Sequence, residues 1–249
     1  MNRELRLLFS ALTFFTRIPC SRWAGSDATD LNHAAKYFPL IGILVGCIAA
    51  LVYIATARLL PQQLAILLSM AATIGLTGAF HEDGLADAAD GLVGGWSKEQ
   101  ALAIMQDSRL GSYGAIALFL VLLGKFQTLV QLSPALLPTV LVAGHALSRY
   151  AAVLVIYRQV YVRAEGKAKP LATRLSAGEL ALASGFGLAP LALLAPTLLW
   201  ALLPMALAWL WFSRKLRQRL GGYTGDCLGA MQQLCEIAFY LGVLACSSF

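Results

Sequence analysis

Between positions 81 and 91 the chain reads His-Glu-Asp-Gly-Leu-Ala-Asp-Ala-Ala-Asp-Gly. As a helix, this stretch places Asp83, Asp87 and Asp90 at i, i+4 and i+7, so their carboxylates project from one face. Three such charges repel, and without compensation some would have to stay protonated. A divalent cation removes that conflict. An oxygen-only ligand set suits Mg²⁺, which takes a few carboxylates and leaves its other positions to water and to substrate phosphates. A fourth carboxylate, Asp107, opens the run Asp107-Ser108-Arg109-Leu110-Gly111-Ser112-Tyr113-Gly114. Arg109 is suited to bidentate phosphate binding, and Gly111 and Gly114 let backbone approach a ligand or a neighbouring helix.

A lone carboxylate at a membrane surface is usually just solvated. Here five of the chain's 13 acidic residues (Glu82, Asp83, Asp87, Asp90 and Asp107) fall between positions 82 and 107. That concentration favours a metal–diphosphate site with Asp83, Asp87, Asp90 and Asp107 as the expected ligands. His81 is open to two readings, a general base or a hydrogen-bond partner for a carboxylate. Glu82 lies off the aspartate face and reads as interfacial polarity.

The elements that must hold these residues are membrane helices. Of the 249 residues, 59% are hydrophobic and only 13% charged, and the mean hydropathy is +0.70. An average soluble domain is roughly 45–50% apolar and about 25% charged. No long polar segment interrupts the apolar runs, so residues 1–249 read as one integral membrane domain, an all-α bundle. Seven candidate spans follow from run length: 38–57, 63–80, 113–132, 134–157, 179–195, 196–212 and 226–246. The fifth and sixth meet at Ala195-Pro196 with almost no loop, which equally allows short or tilted helices there. Ahead of them, Arg3, Arg6, Ser10, Thr13 and Arg17 alternate at helical spacing with Leu5, Leu8, Phe9, Leu12 and Phe15. That is the pattern of an amphipathic helix lying at the interface rather than of a cleaved signal.

The formal charge of +6 does not point to nucleic acid, because the basic residues sit in short segments between apolar runs. By the positive-inside rule they put the N-terminus and segments 81–112, 158–178 and 213–225 in the cytoplasm. All the chemically interesting sequence then shares one side. Lys125 and Arg149 fall inside spans, where an ionisable residue faces a wet cavity, serves an internal ion pair or snorkels. Cys20, Cys47, Cys227, Cys235 and Cys246 show neither disulfide nor zinc spacing.

These motifs resemble the signature of the cobalamin synthase family. The resemblance rests on His81 to Gly91 and on Asp107-Ser108-Arg109 with Gly111 and Gly114. It extends to Phe14-Phe15-Thr16-Arg17-Ile18-Pro19, to Tyr37-Phe38-Pro39-Leu40-Ile41-Gly42 and to Gly221-Gly222-Tyr223-Thr224-Gly225-Asp226 with Gly229-Ala230. Glu82 and Tyr223 depart from that pattern. The resemblance covers essentially the whole chain and implies a transferase of the bacterial inner membrane, with its active site facing the cytoplasm. It implies a Mg²⁺-dependent displacement in which the 5′ oxygen of α-ribazole, or of its 5′-phosphate, attacks adenosylcobinamide-GDP at the phosphate on the cobinamide side. GMP leaves, and adenosylcobalamin or its 5′-phosphate forms.

On this reading His81, Asp83, Asp87 and Arg109 are the expected catalytic residues. Gly221, Gly222, Thr224, Gly225 and Asp226, with Arg109, are the expected substrate contacts, the glycine turn offering backbone N–H groups to a phosphate. Arg214, Lys215, Arg217 and Arg219 would add positive potential or serve topology alone. The expected partners are the two substrates and the bilayer, with a homo-oligomer or a complex with other cobalamin-assembly enzymes left open.

Two alternatives compete. Asp87-Ala88-Ala89-Asp90-Gly91 echoes the CDP-alcohol phosphotransferases, but Leu92-Val93 stands where that pattern has Ala-Arg. A transporter would carry its ion site near the midplane on broken helices with internal repeats, whereas these carboxylates sit at a boundary and no repeat is evident.

Overall fold

The computed structural model describes residues 2–25, 32–163 and 175–247. The middle of the basic 158–178 segment, residues 164–174, therefore lies outside the described residues. The described chain is all-α, with one isolated parallel β-bridge, Tyr161 to Tyr223, and no strand. Its helices are α1 (Arg3–Phe15), α2 (Phe38–Thr56), α3 (Gln62–Thr77), α4 (Phe80–Gly94), α5 (Lys98–Ile104), α6 (Ser112–Gln131), α7 (Leu137–Arg158), α8 (Ala177–Leu188), α9 (Leu202–Leu220) and α10 (Gly225–Ser247).

Five stretches have the length and apolar composition to cross a membrane: Asn32–Thr56, Ser112–Gln131, Leu137–Arg158, Pro196–Leu220 and Gly225–Ser247. A sixth candidate is the pair α3 and α4, bent by 84°. The expected fifth span is a shorter apolar element, Ala177–Leu193, whose last turns are 3₁₀. The seven spans read from run length are therefore reached only if both α3 and this short leg cross. Hydropathy marks apolar length and is blind to where a helix bends or tightens.

Small residues let the central helices approach. A Cβ on Gly46 of α2 would lie 2.6 Å from the Val142 Cα of α7, and Gly42, one turn earlier, meets the His145 carbonyl of the same helix. Close backbone approach through small residues one turn apart is how membrane helices gain packing when lipid supplies no hydrophobic drive. The buried face of α1 is Leu7, Ser10, Ala11 and Phe15, whereas Leu5, on the face expected to be apolar, is exposed. Ser10 tolerates burial because its hydroxyl donates to the Arg6 carbonyl (2.9 Å) and accepts from the Gly25 N–H (2.9 Å). All five cysteines are free.

Candidate active site

The aspartate segment is helical as expected, but it does not continue straight from the helix before it. At the junction Gly78 (φ +65°) and Ala79 (φ +56°) are both left-handed. Glycine adopts that conformation freely, while alanine pays a Cβ–carbonyl clash. Arg17 holds the corner: its N–H donates to the Leu76 carbonyl (2.7 Å), and its guanidinium fills the space that a side chain on Gly78 would take. The family-like Thr16-Arg17-Ile18 run thereby positions α4.

Along α4 the three aspartates meet different surroundings. Asp83 is exposed, Asp87 half-buried and Asp90 buried. Asp90 accepts the Gly111 N–H at 2.8 Å and the Gly114 N–H at 2.9 Å, one on each oxygen. These amides open α6 and have no partner within their own helix. Asp90 thus caps α6 from a neighbouring helix, where its charge also opposes the positive end of the α6 dipole. The approach of Gly111 and Gly114 anticipated from sequence is an approach to Asp90.

Asp107 and Arg109 form an exposed pair. The Arg109 Nε lies 3.0 and 3.1 Å from the two Asp107 oxygens and its Nη2 2.6 Å from Oδ2, with the Arg109 N–H adding a fourth contact at 3.1 Å. Hydrogen bonds from the Arg109 guanidinium hold the Asp107 carboxyl down at about 2. Among the described residues no three His, Cys, Asp or Glu side chains form a ready metal cage. That holds for the four aspartates expected from sequence, of which Asp90 is engaged by backbone amides and Asp107 by Arg109, and equally for Asp83 and Asp87 with any neighbouring carboxylate.

The carboxylate brought to the α4 face is Asp226. Gly84 faces the start of α10, where a Cβ would lie 2.9 Å from the Asp226 carbonyl and 3.3 Å from the Gly229 Cα. Only two facing glycines allow helices this close. Asp83, Asp226 and Asp90 all act electrostatically on Asp87, with Arg163 the cation in reach. Arg163 Nη2 stands 2.7 Å from Asp226 Oδ2, and the Thr224 hydroxyl donates to the same oxygen at 3.3 Å.

The glycine turn is shaped by the fold. Gly221 is the left-handed cap that ends α9 (φ +75°), its N–H donating to the Arg217 carbonyl at 3.1 Å. Gly222 lies against the Val160 backbone, and Tyr223 exchanges N–H and carbonyl with Val160 and Val162, both at 3.0 Å. Thr224 caps α10, its hydroxyl accepting the Cys227 N–H at 3.3 Å. Gly225 and Asp226 follow as the first turn of α10. The guanidinium of Arg219 donates to the Gly95 carbonyl, and Lys215 sits over the Trp211 ring, 5.5 Å from its centre. Segments 81–112, 158–163 and 213–225 therefore meet at one end of the bundle.

His81 occupies the other side of α4. Its ring is buried, stacked on Phe15 at 5.7 Å, and faces the bundle interior rather than the aspartates. There a polar cluster bridges α4, α6, α7 and α10. Lys125 donates to Glu236 and to Gln233, each at 2.7 Å, and Gln233 donates to Glu82 at 3.0 Å. His145 Nδ1 lies 3.3 Å from Glu236, and Arg149 donates to the His145 carbonyl at 3.0 Å. Lys125 is thus an internal ion pair. Sequence reasoning set Glu82 aside and missed Glu236, Gln232 and Gln233. Their signal was present: a carboxylate and two amides inside an apolar 23-residue helix must find partners.

The family described as cobalamin-5-phosphate synthase matches residues 7–244. An adenosylcobinamide-GDP ribazoletransferase of Shewanella frigidimarina is 47% identical over 98% of this chain and 95% of its own length. One of Ralstonia pickettii is 47% identical over 98% and 97%, and one of Shewanella piezotolerans 46% over 98% and 96%. No solved structure matches. With the family model matching nearly the whole chain and near-complete coverage on both sides, the chain belongs to the cobalamin-5-phosphate synthase family.

Proposed function

We propose that this protein is an adenosylcobinamide-GDP ribazoletransferase that works at the face formed by Asp83, Asp87 and Asp226, with Mg²⁺ as cofactor. The observation that carries the site is the seating of Asp226 against Gly84, which adds a third carboxylate to the α4 face. Two of these groups, Asp83 and Asp87, retain exposed or half-exposed oxygens. An oxygen-only set of two or three carboxylates fits Mg²⁺, which keeps open positions for water and diphosphate oxygens. When bound there, Mg²⁺ supplies charge neutralisation at a diphosphate.

The chain's own residues do the rest. Asp83 and Asp87 would hold the cation, and Asp226, oriented by Arg163 and Thr224, completes the set. Arg109, highly exposed beside the site-forming loop, is placed to exchange Asp107 for a phosphate, which a guanidinium binds in the same bidentate way. The Gly225 and Asp226 amides at the α10 N-terminus present donors to an anion. A free ring hydroxyl of the acceptor ribose would then attack the phosphate joined to the cobinamide, its proton passing to solvent as the bond to the departing GMP breaks. The 5′ oxygen expected from the resemblance is not the attacking group, because the 5′-phosphate acceptor keeps that position esterified in its product. Positioning and charge are what such a displacement asks of a protein. The bacterial inner membrane, with this end cytoplasmic, is the matching location, since nucleotide donors are cytoplasmic and the basic segments lie here.

The test is product formation by purified protein given adenosylcobinamide-GDP and α-ribazole, or its 5′-phosphate, with and without Mg²⁺. GMP and a cobalamin should appear together, and only with the metal. Turnover of a CDP-alcohol donor instead would assign the protein to the phospholipid-type chemistry that Asp87 to Gly91 echoes.

A further inference from the structure

Beside the carboxylate face lies a cavity that the chemistry above does not use. Phe14 and Phe15 of α1, Phe38 of α2, Phe80 and His81 of α4, and Gly225 and Gly229 of α10 wall it, with Arg149 and Gln232 at its base. It therefore draws on the three family-like stretches around Phe14-Phe15, Phe38 and Gly225 to Gly229. The rings meet edge to face: Phe15 with Phe38 at 4.2 Å and 79°, Phe14 with Phe80 at 5.2 Å and 77°. Phe15 and Phe38 are buried, whereas Phe14 and Phe80 are half-buried. Arg149, which also lines the neighbouring polar cavity, is almost completely buried, yet its Nε has no hydrogen-bond partner among the described residues. A buried donor left unmet is costly, and its natural complement is an acceptor on a ligand.

We propose that this cavity, about 30 Å³ as it stands, widens by turning of the half-buried Phe14 and Phe80 rings to seat the base of the acceptor nucleoside, a flat apolar benzimidazole whose single free ring nitrogen accepts from Arg149. The inference rests on the ribazoletransferase reading and deepens it. Phenyl edges and faces suit a bicyclic ring bearing methyl groups. Guanine, the base of the donor, needs several hydrogen-bond partners along its edge, and these walls are mostly hydrocarbon. The cavity approaches the carboxylate face along the first turn of α10, where Gly225 lines it and the Asp226 backbone packs on Gly84. A ribose must leave by that end for its free hydroxyl to react.

The experiment measures KM for α-ribazole and for adenosylcobinamide-GDP separately, in wild type and in Phe14→Leu, Phe80→Leu and Arg149→Lys. Losing one aromatic contact should raise the acceptor KM about three- to tenfold and leave the donor KM unchanged. Arg149→Lys keeps the charge but lacks Nε–H, so it should no longer distinguish α-ribazole from the analogue with CH in place of the free ring nitrogen. A rise in the donor KM alone, or competition by guanosine as strong as that by α-ribazole, would overturn the inference. For any variant that fails to fold, the wild-type analogue series decides. Removing the ring methyls should weaken binding about tenfold or more, and equal binding would refute the site. If wild type makes no product from the two substrates, the functional reading itself fails, which these KM comparisons keep separate.

Discussion

Replacing Asp90 by asparagine separates structure from chemistry along α4. Each Asp90 oxygen accepts one backbone N–H, from Gly111 at 2.8 Å and Gly114 at 2.9 Å. Asparagine keeps one acceptor and turns an NH₂ toward the other amide, so one charge-assisted bond is lost and one buried donor faces another. A hydrogen bond to a charged group contributes about 1.5–3 kcal/mol, and the charge at the α6 N-terminus adds about 0.3–1 kcal/mol. The expected cost is therefore about 2–4 kcal/mol. For a chain of this length that lowers an apparent Tm by roughly 4–16 °C, taking about 2–4 °C per kcal/mol. Thermal unfolding in matched detergent measures it, with scan rate held constant. The divalent-cation concentration for half-maximal activity should stay within about twofold below the transition, since Asp90 is assigned to capping. An Asp90→Asn protein as stable as wild type, or one of unchanged Tm that needs far more Mg²⁺, would refute the capping assignment and return Asp90 to the metal.

Other perturbations test neighbouring parts. Asp87→Asn should remove turnover while leaving Tm unchanged or higher, because it deletes a carboxylate that Asp83, Asp90 and Asp226 repel; a marked loss of Tm would contradict this. Ala79→Gly should raise Tm by relieving a left-handed alanine worth about 1 kcal/mol, and a fall would show that the corner is not strained. Lys125→Met should cost about 3–5 kcal/mol by leaving Glu236 buried without its partner, with much of the loss recovered on adding Glu236→Gln. The Asp107 carboxyl is held at about 2, below its unfolded value of about 3.9. Its stabilising pair with Arg109 is therefore complete above about pH 4 and lost as pH falls through about 2. Asp107→Asn should then shift Tm equally at pH 5 and pH 8, and a shift confined to pH 8 would contradict the assignment.

Much of this organisation was legible because it depends on local pattern. Apolar run length fixes where helices form, and the i, i+4, i+7 spacing of Asp83, Asp87 and Asp90 fixes their common face. The basic segments put 81–112, 158–178 and 213–225 on one side of the membrane, and of these 81–112, 158–163 and 213–225 lie together among the described residues. What stayed hidden depends on contacts distant in sequence. Periodicity carries no sign that Asp90 would spend both oxygens on amides more than twenty residues away, nor that Asp226 would settle over Gly84. The 84° corner was half visible: Gly78 marks a stop, but a left-handed Ala79 has no sequence signature. Glu82 lies off the aspartate face, a position that spacing alone cannot tell from surface polarity. Glu236 sits inside a span, where a carboxylate needs a partner such as Lys125.

The most direct test of the carboxylate face compares Asp226→Asn with Asp107→Asn, following GMP release against Mg²⁺ concentration at saturating substrates. Asp226→Asn should lose activity at every ordinary Mg²⁺ concentration, or regain it only at much higher ones, while Asp107→Asn keeps a near wild-type Mg²⁺ dependence. The reverse pattern, with Asp107 indispensable to the metal response and Asp226 replaceable, would contradict the account and restore the site drawn from sequence spacing alone.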